Sequence, residues 1–178
     1  MKKKESVTVC SSAAFFKQAI EADKELRRMG FAVKLPYTAM KMKQSGDYRP
    51  ETYKIWFKNP EQYGRKTWLI KNHLQKVKKG DVVLVLNYEK NGIPGYIGGN
   101  TLIEAAIGFH YKKPIYILNP ISDKLDVKEE VLGMRPIFLD GNLQNIAPEK
   151  KEKVCGRGHR YKGRNPCPVC WPGRNKRK

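Results

Sequence analysis

Apolar residues along most of the chain fall into two alternating rhythms. Residues 6–10 (SVTVC) set valines at positions 7 and 9, the two-residue period of a short strand. Ser11 and Ser12 follow with hydroxyls suited to capping a helix that runs to about Met29. Within it Phe15, Phe16, Ala19, Ile20, Ala22, Leu26 and Met29 recur at helical spacing, and Gly30 supplies a stop. Residues 31–35 (FAVKL) predict a second strand closed by Pro36, and residues 66–77 a helix with Ile70, Leu74 and Val77 on one face. Residues 81–87 (DVVLVLN) are almost continuously apolar, as expected of a strand covered on both faces of a parallel sheet. A helix over 101–111, a strand over 114–118, a short helix near 127–132 and a strand over 136–139 complete the order. This alternation predicts an α/β fold, a three-layer α/β/α sandwich around a five-stranded parallel, Rossmann-like sheet. Ligands in such folds bind beyond the carboxyl ends of the strands, near the point where strand order reverses. The turns after Cys10, Asn87 and Leu118 are therefore the places to look for chemistry.

The chain has 178 residues, 40% of them hydrophobic and 30% charged, enough for a packed core. Lys and Arg number 36 against 17 acidic residues, a formal charge of +19 that favours anionic partners. No apolar run is long enough to span a membrane. The basic start at Met1 is followed only by the short apolar stretch 7–10, so export is not expected and a cytoplasmic setting is. Charge also divides the chain. From Glu149 onward there are 11 basic residues and two acidic ones, and the change coincides with Pro148 and a charged run. The sequence thus predicts a domain over 1–148 and a basic segment over 149–178.

Residues 87–104 (NYEKNGIPGYIGGNTLIE) form the turn after the third strand. Gly98 and Gly99 allow close backbone approach to a ligand, and Asn100 or Thr101 is placed to cap the next helix, whose N–H groups then face the crevice. Glu104, expected in the first turn of that helix, has two open roles. It can close a capping box with Thr101, or it can face the pocket as the nucleophile of glycosyl transfer. Ser11 and Ser12 can cap their helix or hold an anion there. His73 can be a structural helix histidine or reach a leaving group as an acid. Residues 37–64 are too long for a bare connector. Their aromatics, Tyr37, Tyr48, Tyr53, Trp56, Phe57 and Tyr63, fit a lid that stacks on a base or a packed insertion, with Pro50 starting a short helix.

The stretch from Asp81 to Leu118 resembles the central segment of the nucleoside 2-deoxyribosyltransferase-like superfamily. Asp81 to Asn87, Gly98-Gly99, Glu104 and Lys113-Pro114 match its strand, Gly-rich loop, Glu-bearing helix and Lys-Pro step. Residues 7–12 and 134–139 fit as its first strand with a small-residue turn and as its last strand. The resemblance implies an enzyme that cleaves or transfers at the N-glycosidic bond of a nucleoside or nucleotide. Glu104 would be the nucleophile, Ser11 and Ser12 a phosphate-holding turn, and the protein a homo-oligomer. Together with the local reading of the residues, this makes Ser11, Ser12, Gly98, Gly99 and Asn100 the expected substrate contacts and Glu104, Asn87 and His73 the expected catalytic residues. Two positions depart from the family pattern. Gly98 stands where an Asp commonly precedes the nucleophile by six residues, and Asn87 where an acidic residue often ends the strand. Exchange, hydrolysis and a binding domain without turnover all remain open.

Cys155, His159, Cys167 and Cys170 offer three thiolates and an imidazole within 16 residues, a closed Cys3His set suited to structural Zn2+. The segment lacks apolar residues for a core of its own, so the metal would supply its folding energy. The alternative is a disordered basic tail whose cysteines cluster by chance. Arg157, Arg160, Lys162, Arg164 and the terminal basic run surround this set, with Tyr161 and Trp171 interleaved. Cationic side chains and exposed rings together suit contact with nucleic acid.

Overall fold

In a computed structural model, the chain divides into two compact units, residues 1–146 and 147–178. The structure describes residues 4–146 of the first, and 153–154, 156–161 and 169–170 of the second.

The first unit is a five-stranded, wholly parallel sheet with the order β2-β1-β3-β4-β5, flanked by helices. Its elements are β1 (Ser6–Ser11), a 3-10 turn (Ala13–Phe15), α1 (Phe16–Arg28), β2 (Ala32–Lys34), α2 (Tyr37–Ser45), α3 (Pro50–Tyr53), α4 (Tyr63–Lys79), β3 (Val82–Leu86), α5 (Gly99–His110), β4 (Ile115–Ile117), α6 (Lys128–Gly133) and β5 (Ile137–Phe138). The expected α/β sandwich is therefore present. Strand order reverses at β1, so the switch point lies between β1 and β3.

Alternation along the buried strands assigns each face a helix layer. Val7, Val9, Leu84, Leu86 and Tyr116 pack with Ala19, Ile20 and Leu26 of α1. Cys10, Val83, Val85, Ile115 and Ile117 face the other way, against Val77 of α4, Ala105 of α5 and Val131 of α6. Gly108 lets α5 settle directly on β3: a Cβ there would lie 2.6 Å from Cγ2 of Val83. Lys113 ties the start of β4 to its neighbours by donating to the carbonyls of Lys78 and Gly80.

Three local expectations are corrected. The helix expected from Thr101 starts at Gly99, with Gly98 as its N-cap, and no side chain caps it. The Thr101–Glu104 capping box is thus not formed, and Glu104 lies in the second turn. Thr101 is buried instead, in the first turn of the helix. The helix expected over 66–77 extends from Tyr63 to Lys79. Finally, the stretch after Pro36 contains a helix, α2, that its mixed polar pattern did not announce; it buries only Ala39 and Met42 against Phe16. Among the described residues, no helix is long and apolar enough to cross a membrane.

In the second unit, β6 (Lys153–Val154) and β7 (Arg160–Tyr161) pair antiparallel.

Candidate functional site

A cavity of about 430 Å3 opens at the carboxyl ends of β1 and β3, the switch point of the sheet. Four pieces of chain converge on it. The turn after β1 brings Ser11 and Ser12, and the N-terminus of α5 brings Gly98, Gly99, Asn100 and Glu104. One stripe of α4 brings Lys66, Ile70 and His73, residues about a helical turn apart. The insertion between α2 and α4 brings aromatic rings.

Glu104 sits on the inner face of α5, between buried Thr101 and buried Gly108, so its carboxyl points toward the sheet rather than along the helix. Its side chain is 14% exposed, and Oε2 lies 3.7 Å from Nε2 of His73. The same imidazole nitrogen is 3.6 Å from Sγ of Cys10, a fully buried residue near the end of β1. Burial raises the Glu104 carboxyl to about 8, opposed by a hydrogen bond with Cys10 and the charge of Lys66. Burial lowers His73 to about 4, so the ring is neutral at ordinary pH and offers a hydrogen-bonding imidazole. Cys10 is pushed well above its usual value, by burial first and then by Glu104. The Sγ, Nε2 and carboxylate donors lie within 4.8 Å of one another. That spacing suits a shared proton network, and it is also compact enough to hold a soft divalent cation.

The sequence-derived residues divide cleanly. Glu104, His73, Ser11, Ser12, Gly98, Gly99 and Asn100 all line the cavity. Ser12 also caps its 3-10 turn, accepting the Ala14 N–H at 3.4 Å. The Ser11 hydroxyl is buried and makes no hydrogen bond among the described residues. Asn87 does not line the cavity. It is fully buried, donates from Nδ2 to the carbonyl of Asn119 at 2.8 Å and accepts the Asn119 N–H at 2.8 Å. Its amide joins the loops that follow β3 and β4, a structural task a carboxylate could not perform because one of these bonds needs a donor.

Of the insertion aromatics, Tyr37, Tyr53, Trp56, Phe57 and Tyr63 line the cavity, whereas Tyr48 packs against the core. Sequence reasoning missed five participants: Cys10, Lys54, Lys66, Lys90 and Tyr96. Tyr96 also explains Gly98. A Cβ at position 98 would lie 3.0 Å from the Tyr96 hydroxyl and 3.2 Å from its ring, so a phenol occupies the space an aspartate there would need. Glu104 is the one carboxylate among the described residues that line this cavity.

In the second unit, Nδ1 of His159 lies 3.1 Å from Sγ of Cys170. Cys155 and Cys167, the other two expected metal ligands, lie outside the described residues, as do Lys162, Arg164, Trp171 and the whole terminal basic run.

No protein-family model matches the chain, and no curated protein matches it by sequence.

Proposed function

We propose that the first unit cleaves or exchanges N-glycosidic bonds of nucleosides or nucleotides, as a member of the nucleoside 2-deoxyribosyltransferase-like superfamily. The observation that carries this reading is the place of Glu104: its carboxyl is free of any capping duty and buried at a cavity on the switch point. In the forward step the Glu104 carboxylate attacks the anomeric carbon, and the electron pair of the C–N bond leaves with the base. The Tyr96 hydroxyl, standing where the family commonly has an acid, gives its proton to the departing nitrogen. Water or a second base then attacks the same carbon, frees Glu104 and returns a proton to Tyr96. His73, neutral, stands beside the carboxylate, with Nε2 3.7 Å from Oε2. The aromatics of the insertion supply faces for the base.

A second reading is favoured by the missing second carboxylate: a domain that binds nucleotides without turnover, linked to a nucleic-acid-binding tail. One experiment separates the two. Purified protein is incubated with nucleosides and 5′-monophosphates while free base is followed. The enzyme reading predicts base release that Glu104→Gln abolishes with folding intact. No release from any substrate, with nucleotides still raising the melting temperature, overturns it in favour of the binding domain. The tail is proposed to be a Cys3His zinc module contacting nucleic acid, supported by the close approach of His159 to Cys170, and the protein to work as a homo-oligomer.

A further inference from the structure

Three lysines line the cavity from separate parts of the chain: Lys54 in the insertion, Lys66 on α4 and Lys90 in the loop after β3. Each ammonium stands over an aromatic ring that also lines the cavity. Lys54 lies 5.6 Å from the centre of Phe57, Lys66 5.5 Å from that of Trp56, and Lys90 4.8 Å from that of Tyr96. Rings hold an ammonium in place without neutralising it, so the positive charge stays available. Among the described residues, none of the three forms an ion pair.

The arrangement is costly to the empty protein. Lys54 is depressed by burial and then by the charge of Lys90, opposed by Glu51; Lys66 is depressed by burial, opposed by Glu104, with Lys54 adding to the depression. Like charges gathered in a partly covered space repel, and an anion entering between them relieves the repulsion. The uncapped first turn of α5, with Gly99 and Asn100 on the cavity, adds N–H donors of the same polarity.

We infer that Lys54, Lys66 and Lys90 form an anion subsite, and that the preferred ligand of the cavity is a nucleoside carrying a 5′-phosphate rather than a free nucleoside. Ser12 is engaged with the Ala14 N–H and its turn carries no cationic side chain, so charge neutralisation falls to the lysines. The aromatic rings beneath the ammonium groups leave their faces for a sugar or base. The nucleoside part of this inference rests on the glycosidic reading of Glu104; the anion subsite does not.

The test is calorimetric titration of the full chain bearing Glu104→Gln, which binds without turnover. The probes are the four 2′-deoxynucleoside 5′-monophosphates, the matching nucleosides and inorganic phosphate. At least one monophosphate is expected to bind about tenfold or more tightly than its nucleoside, as charge-assisted hydrogen bonds to phosphate require. Changing Lys54, Lys66 and Lys90 together to Gln should erase that preference, while Lys66→Arg keeps it. The basic tail is the same in every protein, so its contribution cancels in the comparison. The triple variant should still unfold cooperatively, because it gives up three ammonium–ring contacts but also the mutual repulsion, and none of the three lysines forms an ion pair among the described residues. Equal affinity for nucleoside and monophosphate, or a preference that survives the triple change, overturns the subsite. Inorganic phosphate binding as tightly as every monophosphate overturns the nucleotide assignment. Base release by the unmodified protein is read separately, so phosphate preference without base release removes the Glu104 reading and leaves the subsite standing.

Discussion

Replacing Glu104 by Gln tests the central premise through stability, independently of substrate. In the folded protein the carboxyl titrates near 8, against 4.5 for an ordinary glutamate, because burial disfavours its charge. A group whose folded value is raised contributes stability that is complete below the unfolded value and is lost as pH rises through the folded one. The loss therefore starts near pH 4.5 and ends a little above 8. At about 1.4 kcal/mol per tenfold change in proton affinity, it amounts to roughly 3 kcal/mol by pH 7 and approaches 5 kcal/mol above pH 8, as order-of-magnitude figures. Gln keeps the shape and cannot ionise. Glu104→Gln should accordingly match the unmodified protein near pH 4.5 and become progressively more stable toward pH 8 and beyond. His73 titrates in the opposite sense, losing stability as pH falls from 6.5 through about 4, so the comparison is cleanest above pH 6.5, where the ring is neutral in both proteins. Cys10, raised well above its usual value by burial, stays protonated throughout. The assay is urea unfolding from pH 4.5 to 9, read as the difference between the two proteins. A difference independent of pH would refute the reasoning, since it would mean that the carboxyl is solvated or paired. The same displacement predicts that base release rises with pH until the carboxyl is ionised near 8.

Asn87→Ala should unfold at markedly lower urea concentration, by about 2–3 kcal/mol, because it strands buried partners in the loops after β3 and β4. Asn87→Asp should be no better, and urea unfolding with either variant as stable as the parent contradicts the structural role. Gly108→Ala should cost about 1–3 kcal/mol, because its Cβ would press on the stiff, buried Val83 and lift α5 from β3. The companion change Gly108→Ala with Val83→Ala should recover part of that loss in the same melt. For the second unit, protein purified without added metal should hold about one zinc by elemental analysis. Cys170→Ser should abolish it and leave the unfolding of residues 1–146 unchanged.

The order of strands and helices was legible because each buried strand carries its own signal. Residues 82–86 are apolar on both faces, and α1 repeats its apolar stripe at helical spacing, so period and burial agree. Glu104 could be singled out for the same local reason: it follows a glycine pair at the start of a helix. Its role could not be decided there, because Thr101-x-x-Glu104 satisfies a capping box as well as it satisfies a catalytic loop. The helix begins three residues earlier than that box requires, with Gly98 as its N-cap, and that start is seen only in the folded chain.

Asn87 shows the opposite limit. Its place at a strand end suggested chemistry, yet its partner is Asn119, 32 residues away, and a cross-loop amide pair leaves no periodic trace. Tyr96, Cys10 and the lysines escaped notice for a related reason. Each is an ordinary residue in its own segment and gains meaning from neighbours brought in by other elements. What the amino-acid order determined by itself was the alternation of layers and the charged division near residue 148, since burial period and net charge are properties of contiguous chain. What the tertiary structure alone decided was which side chains share the cavity, because convergence at a switch point depends on strand order, and strand order is fixed by packing between distant segments.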